Sequence, residues 1–280
     1  MMSLKVDFFQ GGYCTHPEKI VISDGNWSTQ QFPSLFVLIT HPQLGLILFD
    51  TGYSDRFFQE TRDFPLNIYA FITPVYFQEE DSAVSQLQEK GIEPEAIKYV
   101  IISHFHGDHI GGLQDFPHAQ FICFKSAYQA VKGLRGFNAL RAGFLAGLVP
   151  EDFEKRTLFV ENKNSIPLPS ECAPFENGFD LLGDQSLIGI ELPGHATGQL
   201  GLFFTDENHQ SYFLIADACW LSRAYQEFIK PHPITSLIFS DQKEYVDTLS
   251  KIHQLHKANP NLKIIPTHCR TTWQNLKKDR

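Results

Sequence analysis

The sequence predicts an α+β fold, and three observations carry that prediction. Short apolar runs rich in β-branched residues end abruptly in polar side chains, as buried strands do. Two of these runs flank a turn. Two further segments carry apolar residues at helical spacing and close on recognisable stop signals. In chain order, residues 35–40 and 46–49 flank Pro42-Gln43-Leu44-Gly45 and read as a β-hairpin. Residues 81–90 place Val84 and Leu87 on one helical face and stop at Gly91, a left-handed cap position. Residues 99–102 (Tyr-Val-Ile-Ile) and 121–124 are short strands, and residues 213–216 and 262–265 are further apolar runs. Residues 241–258 align Tyr245, Leu249, Ile252 and Leu255 on one face before Asn259-Pro260 closes the helix. No internal repeat of fixed period is present.

Composition bounds the function. A chain of 280 residues that is 42% hydrophobic can bury a large core, so residues 1–280 are expected to form one domain. A net charge of −9 argues against nucleic acid or an anionic membrane as the principal partner. The five cysteines (Cys14, Cys123, Cys172, Cys219 and Cys269) are odd in number and include no C-x-x-C pair, which suggests neither a disulfide framework nor a thiolate metal site. The first residues lack the apolar core of a secretion signal, and no stretch approaches the roughly 18 apolar residues of a membrane span. A cytoplasmic location is the expectation.

The most informative run is Ser103-His104-Phe105-His106-Gly107-Asp108-His109, directly after the strand at 99–102. A loop leaving a strand end can fold its side chains over one point, and imidazole and carboxylate are ligands that borderline divalent metals accept. Four such groups within six positions disfavour a chance histidine cluster on a solvated loop. Four other elements end apolar runs in the same manner. They are Phe49-Asp50-Thr51-Gly52, the loop Pro193-Gly194-His195-Ala196-Thr197-Gly198, Ile215-Ala216-Asp217, and Ile265-Pro266-Thr267-His268.

These five elements, in this order, resemble the metallo-β-lactamase superfamily over nearly the whole chain. The resemblance implies a four-layer αβ/βα fold in which two packed β-sheets are flanked by helices and ligands gather at one shared sheet edge. It implies two metal ions. His104, His106 and His195 would hold the first, Asp108, His109 and His268 the second, and Asp217 would bridge them. A set of imidazoles and carboxylates without thiolate suits two zinc ions, with iron or manganese also acceptable. Asp50 resembles the family carboxylate that orients ligand imidazoles and does not bind metal itself; as part of Asp50-Thr51-Gly52 it also reads as a turn former. The implied chemistry is hydrolysis of an ester, lactone, thioester or amide. Paired cations share a bridging hydroxide as nucleophile, one of them polarises the carbonyl, and Asp108 moves the proton to the leaving group.

Within the superfamily the layout is most similar to the N-acyl homoserine lactonases, through the run from Phe8 to Cys14, the aromatic segment before the metal motif and the short C-terminal end. Those lactonases carry a tyrosine three residues after the bridging aspartate. Here Trp220 stands in that place, and an indole N–H donates a hydrogen bond but transfers no proton. Trp220 is therefore a candidate for substrate contact or for a pocket wall. Rival readings are a glyoxalase II-like thioesterase and a mononuclear-iron sulfur dioxygenase of the same superfamily; the complete second ligand set weighs against the latter.

Two segments exceed a minimal version of the fold. Residues 54–80 hold Phe57, Phe58, Phe64, Tyr69, Phe71, Tyr76 and Phe77. Residues 127–153 hold Leu134, Phe137, Leu140, Phe144, Leu145 and Leu148, spaced as an amphipathic helix broken by glycines. They form either an apolar lid that shapes the pocket or a cover for core and a homodimer interface. With 25 phenylalanines in the chain, the expected partner is a small-molecule ester or lactone with a hydrophobic portion. His16, His41, His118, His209, His232, His253 and His256 fall outside the ligand motifs, and His253 with His256 reads as part of a solvated helix face. Arg270 follows His268 and could meet an anionic group or pair with a carboxylate.

Overall fold

The N-terminal half assembles one sheet and the C-terminal half another. A computed structural model describes residues 3–278. The first sheet contains β1 (Lys5–Pro17), β2 (Thr29–His41), β3 (Gly45–Phe49), β4 (Val75–Tyr76), β5 (Ile97–Ile101), β6 (Gln120–Cys123) and β7 (Thr157–Phe159), in the order β4-β1-β2-β3-β5-β6-β7. The second contains β8 (Ser165–Pro167), β9 (Asn177–Asp180), β10 (Ile188–Glu191), β11 (Leu200–Thr205), β12 (Ser211–Ala216) and β13 (Lys263–Pro266), in the order β13-β12-β11-β10-β9-β8. Pairing is antiparallel from β4 to β3 and parallel from β3 to β7. In the second sheet only β13 runs parallel to its neighbour β12. The helices are α1 (Glu18–Val21), α2 (Asp55–Glu60), α3 (Asn67–Ile72), α4 (Ala83–Glu89), α5 (Gly107–Ile110), α6 (Lys125–Val131), α7 (Gly136–Arg141), α8 (Phe153–Arg156), α9 (Ser222–Glu227), α10 (Gln242–Ala258) and α11 (Arg270–Lys278).

Strand alternation sets the layering. On β11 and β12, Leu202, Phe204, Tyr212 and Leu214 point into a core shared with Phe8, Phe36 and Val37 of the first sheet. The alternate residues Phe213 and Ile215 join Ile188 and Ile190 in a second core under Tyr245, Leu249, Ile252 and Leu255 of α10. Ala83 and Leu87 of α4 belong to the first core. The result is the four-layer αβ/βα arrangement. Each fully buried large apolar side chain contributes about 1.5–3 kcal/mol.

The hairpin expected at 35–49 is β2–β3, with Thr40 opposite Leu46 and Val37 opposite Phe49. β2 reaches back to Thr29 because pairing with β1 extends it past its own apolar run. The helix expected from 81 starts at Ala83, where the Ser82 hydroxyl accepts the Ser85 N–H, and it stops before Gly91 at φ +74°. α10 begins as expected, its Asp241 side chain accepting the Glu244 N–H at 2.8 Å. The segment 127–153 is several short helical pieces and not one interrupted helix. Gly133, Gly136 and Gly143 adopt positive φ there, which reverses the chain between pieces. Both extra segments divide their apolar side chains: Phe57, Phe144, Leu145 and Leu148 are buried, whereas Phe64, Phe71 and Phe137 are exposed.

Candidate metal centre

Four strand ends converge on one point. β5 delivers His104, His106, Asp108 and His109; the loop after β10 delivers His195; β12 ends at Asp217; and β13 leads to His268. Ligand atoms of His104, His106, His195 and Asp217 lie within 4.8 Å of one another, as do those of Asp108, His109 and His268. Asp217 joins the two groups. One carboxylate oxygen is 3.3 Å from His195 Nε2 and 3.1 Å from His268 Nε2, and the other is 3.3 Å from His109 Nε2. Asp108 Oδ2 is 3.2 Å from His268 Nε2. All seven residues named from the sequence are thus brought together.

The ring orientations follow from what holds each far nitrogen. His268 Nδ1 donates to the Pro33 carbonyl at 2.7 Å, which leaves Nε2 turned inward with a lone pair in the neutral ring. His109 Nδ1 contacts Asp50 Oδ2 at 2.8 Å, and Asp50 Oδ1 accepts the Ser103 N–H at 2.8 Å. Asp50 therefore grips both ends of the motif loop from the end of β3. The Ser103 hydroxyl lies 3.0 Å from His104 Nδ1 and 3.2 Å from His109 Nδ1. Thr51 adds its backbone N–H and hydroxyl to the His109 carbonyl. His106 is braced from the segment 127–153: a Cβ at Gly143 would sit 2.7 Å from its ring.

The electrostatics favour a cation. Three buried carboxylates, Asp50, Asp108 and Asp217, face this one cluster. Burial opposes charge on His268, yet Asp217 and Asp108 draw it up to about 9. Burial likewise opposes charge on His109, and the same two carboxylates with Asp50 hold it well above the usual imidazole range. On the other side, burial drives His104 well below that range and His195 down to about 3, which keeps both rings neutral as ligands must be. Four buried atoms of the cluster have no hydrogen-bond partner: His104 Nε2, His109 Nε2, His195 Nδ1 and Asp217 Oδ1. Orphaned buried nitrogen and oxygen atoms around concentrated negative charge fit divalent cations.

Above the cluster opens a cavity of about 530 Å³ whose floor includes His106, Asp108, His195 and Asp217. Its walls are largely aliphatic and aromatic, with Val21, Ile72, Leu237, Ile238 and Phe239 among them. A second cavity, of about 370 Å³, is lined by Arg56, Glu60, Glu79 and Asp115 and shares no lining residue with the first. Trp220 is at the main cavity, but its indole N–H donates to Asp217 Oδ2 at 2.8 Å, and its ring lies 4.2 Å from that of His268. It braces the cluster itself. His16, outside every motif, lines the cavity beside Trp220, and burial pushes its imidazole down to about 4. Arg270 is exposed and does not line the cavity. His253 is not on a solvated face, since its Nδ1 donates to the Tyr225 carbonyl at 2.6 Å and its ring packs on Phe228. Sequence reasoning missed Tyr53, Tyr245 and the stretch 231–239 as cavity wall. Only Tyr53, next to the Asp50-Thr51-Gly52 turn, carried a local signal.

Fold, ligand cluster and relatives together define a metal-dependent hydrolase. The chain belongs to the metallo-beta-lactamase superfamily, whose family model matches residues 30–214. It is similar to the N-acyl homoserine lactonase AttM of Rhizobium radiobacter, 28% identical over 262 residues that cover 92% of this chain and 90% of the relative. An N-acyl homoserine lactonase of Bacillus thuringiensis is 27% identical over 153 residues, covering 53% of this chain and 49% of the relative. In three dimensions the chain shares its fold with an N-acyl homoserine lactone hydrolase solved with the product N-hexanoyl-L-homoserine at its catalytic metal centre. The TM-score is 0.71 at 19% identity, over 98% of this chain and 97% of that one. The dizinc quorum-quenching lactonase AidC aligns with a TM-score of 0.64 at 16% identity, over 96% and 88% of the two chains. Among the described residues, no helix is long and apolar enough to cross a membrane.

Proposed function

We propose that this chain is a dinuclear metal-dependent hydrolase acting on a small lactone or related ester with a hydrophobic portion. The observation that carries the reading is the position of Asp217, within 3.3 Å of imidazoles from both ligand groups. His104, His106 and His195 would hold one divalent cation, zinc on this donor set, and Asp108, His109 and His268 a second, with the Asp217 carboxylate lying between the two groups. Bound there, such cations would supply Lewis acidity, acidifying a water for attack and polarising the substrate carbonyl. Asp108, on the cavity floor, accepts the proton of the attacking water and returns it to the leaving oxygen. Asp50 keeps the His109 ring oriented, and Trp220 steadies Asp217. The aliphatic walls take up the hydrophobic portion of the substrate and exclude water. The similarity to lactonases named for N-acyl homoserine lactones supports that substrate class. Residues 1–280 act as one cytoplasmic domain, with 54–80 and 127–153 shaping the pocket.

The test is metal content of protein purified without chelator, with the same sample assayed on an acyl homoserine lactone and a simple aryl ester. About two zinc ions per chain are expected, with hydrolysis abolished in both His106→Ala and Asp217→Asn. One iron per chain without hydrolysis would sink this reading.

A further inference from the structure

We propose that the Tyr69 hydroxyl is the substrate-orienting donor of this site, aimed at the carbonyl oxygen of the ester under attack. The inference rests on the hydrolase reading above. Tyr69 belongs to α3, inside the aromatic segment 54–80, and lines the cavity beside His106, Asp108 and Asp217. Its ring meets buried Phe57 edge-on, centroids 5.3 Å apart at 77°, which restricts the direction of its hydroxyl. That hydroxyl oxygen faces the backbone N–H of Gly107, the residue between His106 and Asp108. Gly107 opens α5, so its amide has no partner within the helix and is available to the phenol oxygen. The phenol proton is then left for another acceptor. A side chain at 107 would intrude here, its Cβ 3.1 Å from Phe57 and 3.2 Å from Leu145.

The other tryptophan and tyrosine donors on the cavity wall are engaged or deeper. The Trp220 N–H is committed to Asp217 at 2.8 Å. The Tyr53 hydroxyl faces the Cys14 thiol, and Tyr53 is only 1% exposed. Tyr245 is stacked under Phe239 at 4.3 Å, on the Cys219 side of Asp217. Tyr69 alone among these tyrosines is only partly buried, and it lines the cavity. A phenol is protonated at neutral pH, so the hydroxyl is available as a donor. It donates a hydrogen bond to the developing oxyanion and transfers no proton.

The decisive variant is Tyr69→Phe, which keeps the ring against Phe57 and removes one oxygen. With metal content and melting temperature unchanged, kcat on the lactone is expected to fall about 100-fold while KM moves little, the signature of a donor acting in the transition state. Calorimetric titration of the ring-opened N-acyl homoserine into the metal-loaded protein gives a readout besides turnover, and binding should weaken at least about fivefold. Retention of kcat within about twofold, or a larger loss in Tyr53→Phe or Tyr245→Phe, would overturn the assignment. If wild-type protein hydrolyses neither substrate, the hydrolase reading itself falls and this role with it. An active wild type with an equally active Tyr69→Phe removes the role of Tyr69 alone.

Discussion

His109 and Ile72 serve the same cavity under opposite constraints. His109 is fully buried, its Nδ1 on Asp50, its backbone carbonyl held by Thr51, and its Nε2 facing Asp108 and Asp217. Ile72, on the helix that borders the cavity, is 51% exposed. It is one of a crown of exposed apolar side chains that includes Ile234, Leu237 and Ile238. The cluster is over-determined by backbone and carboxylate contacts, so small changes there propagate through the whole ligand set. The crown has few internal partners, so changes there should leave stability alone and alter what enters. Chemistry is fixed by the floor, and specificity is adjustable at the rim.

The largest effect that could break this contrast is expected at Gly194, in the loop that carries His195. Its φ is +122°, and a Cβ would fall 2.1 Å from the Tyr245 backbone nitrogen in α10. Neither side can give, because both are backbone. Gly194→Ala should cost about 3 kcal/mol, at the upper end for overpacking, and should lower the metal content of whatever folds. Denaturant unfolding followed by metal analysis checks this; a variant of wild-type stability and full metal content would show the loop to be slack. Next comes Asp50→Asn. The amide keeps the shape but removes the charge that His109 and Ser103 lean on. Metal affinity should drop about 10–100-fold, the usual cost of losing an orienting partner, while the fold persists. Competition with a chelator measures it, and unchanged affinity would make Asp50 merely a turn former.

These two residues also show how much was legible. The floor is written locally: each ligand closes an apolar run, so strand prediction and ligand prediction support each other at residues 99–109, 213–217 and 262–268. The contact between Asp50 and His109 joins residues 59 apart in sequence, yet the Asp50-Thr51-Gly52 turn announced it. The rim has no such grammar. Residues 231–239 reach the cavity only because α9 and α10 fold back on the second sheet, and nothing in their spacing says so. Trp220 was legible as a neighbour of Asp217, but not the direction of its N–H, which depends on the His268 ring beside it. His16 and Tyr69 are placed by a strand and a short helix whose meeting is purely tertiary.

Gly143 tests the seam between floor and rim. It lies in the segment 127–153, yet its φ of +57° brings its Cα against the His106 imidazole, where a Cβ would be 2.7 Å from the ring. Gly143→Ala should cost about 1–2 kcal/mol in backbone strain and tilt a ligand. Metal loss confined to one of two sites per chain, with kcat/KM down by about tenfold or more, is the expected pattern. Loss of both metals, or of neither, would disconnect the segment from the cluster.

The smallest effect on stability, and the sharpest on selectivity, belongs to the crown. Leu237 is 68% exposed and Ile238 48%, and both line the cavity. Replacing each by serine should change unfolding free energy by no more than about 0.5 kcal/mol, because little packing is lost. A long acyl chain leaving the cavity would lie across these side chains, and each lost apolar contact is worth about 1–2 kcal/mol, hence about 5- to 30-fold in KM. Short-chain esters, held entirely on the floor, should be unaffected. A series of acyl lengths assayed on Leu237→Ser and Ile238→Ser separates the cases. A penalty that grows with chain length locates the hydrophobic portion at the rim. A uniform penalty would mean that rim and floor are mechanically one piece, because only a disturbance reaching the cluster weakens every substrate alike.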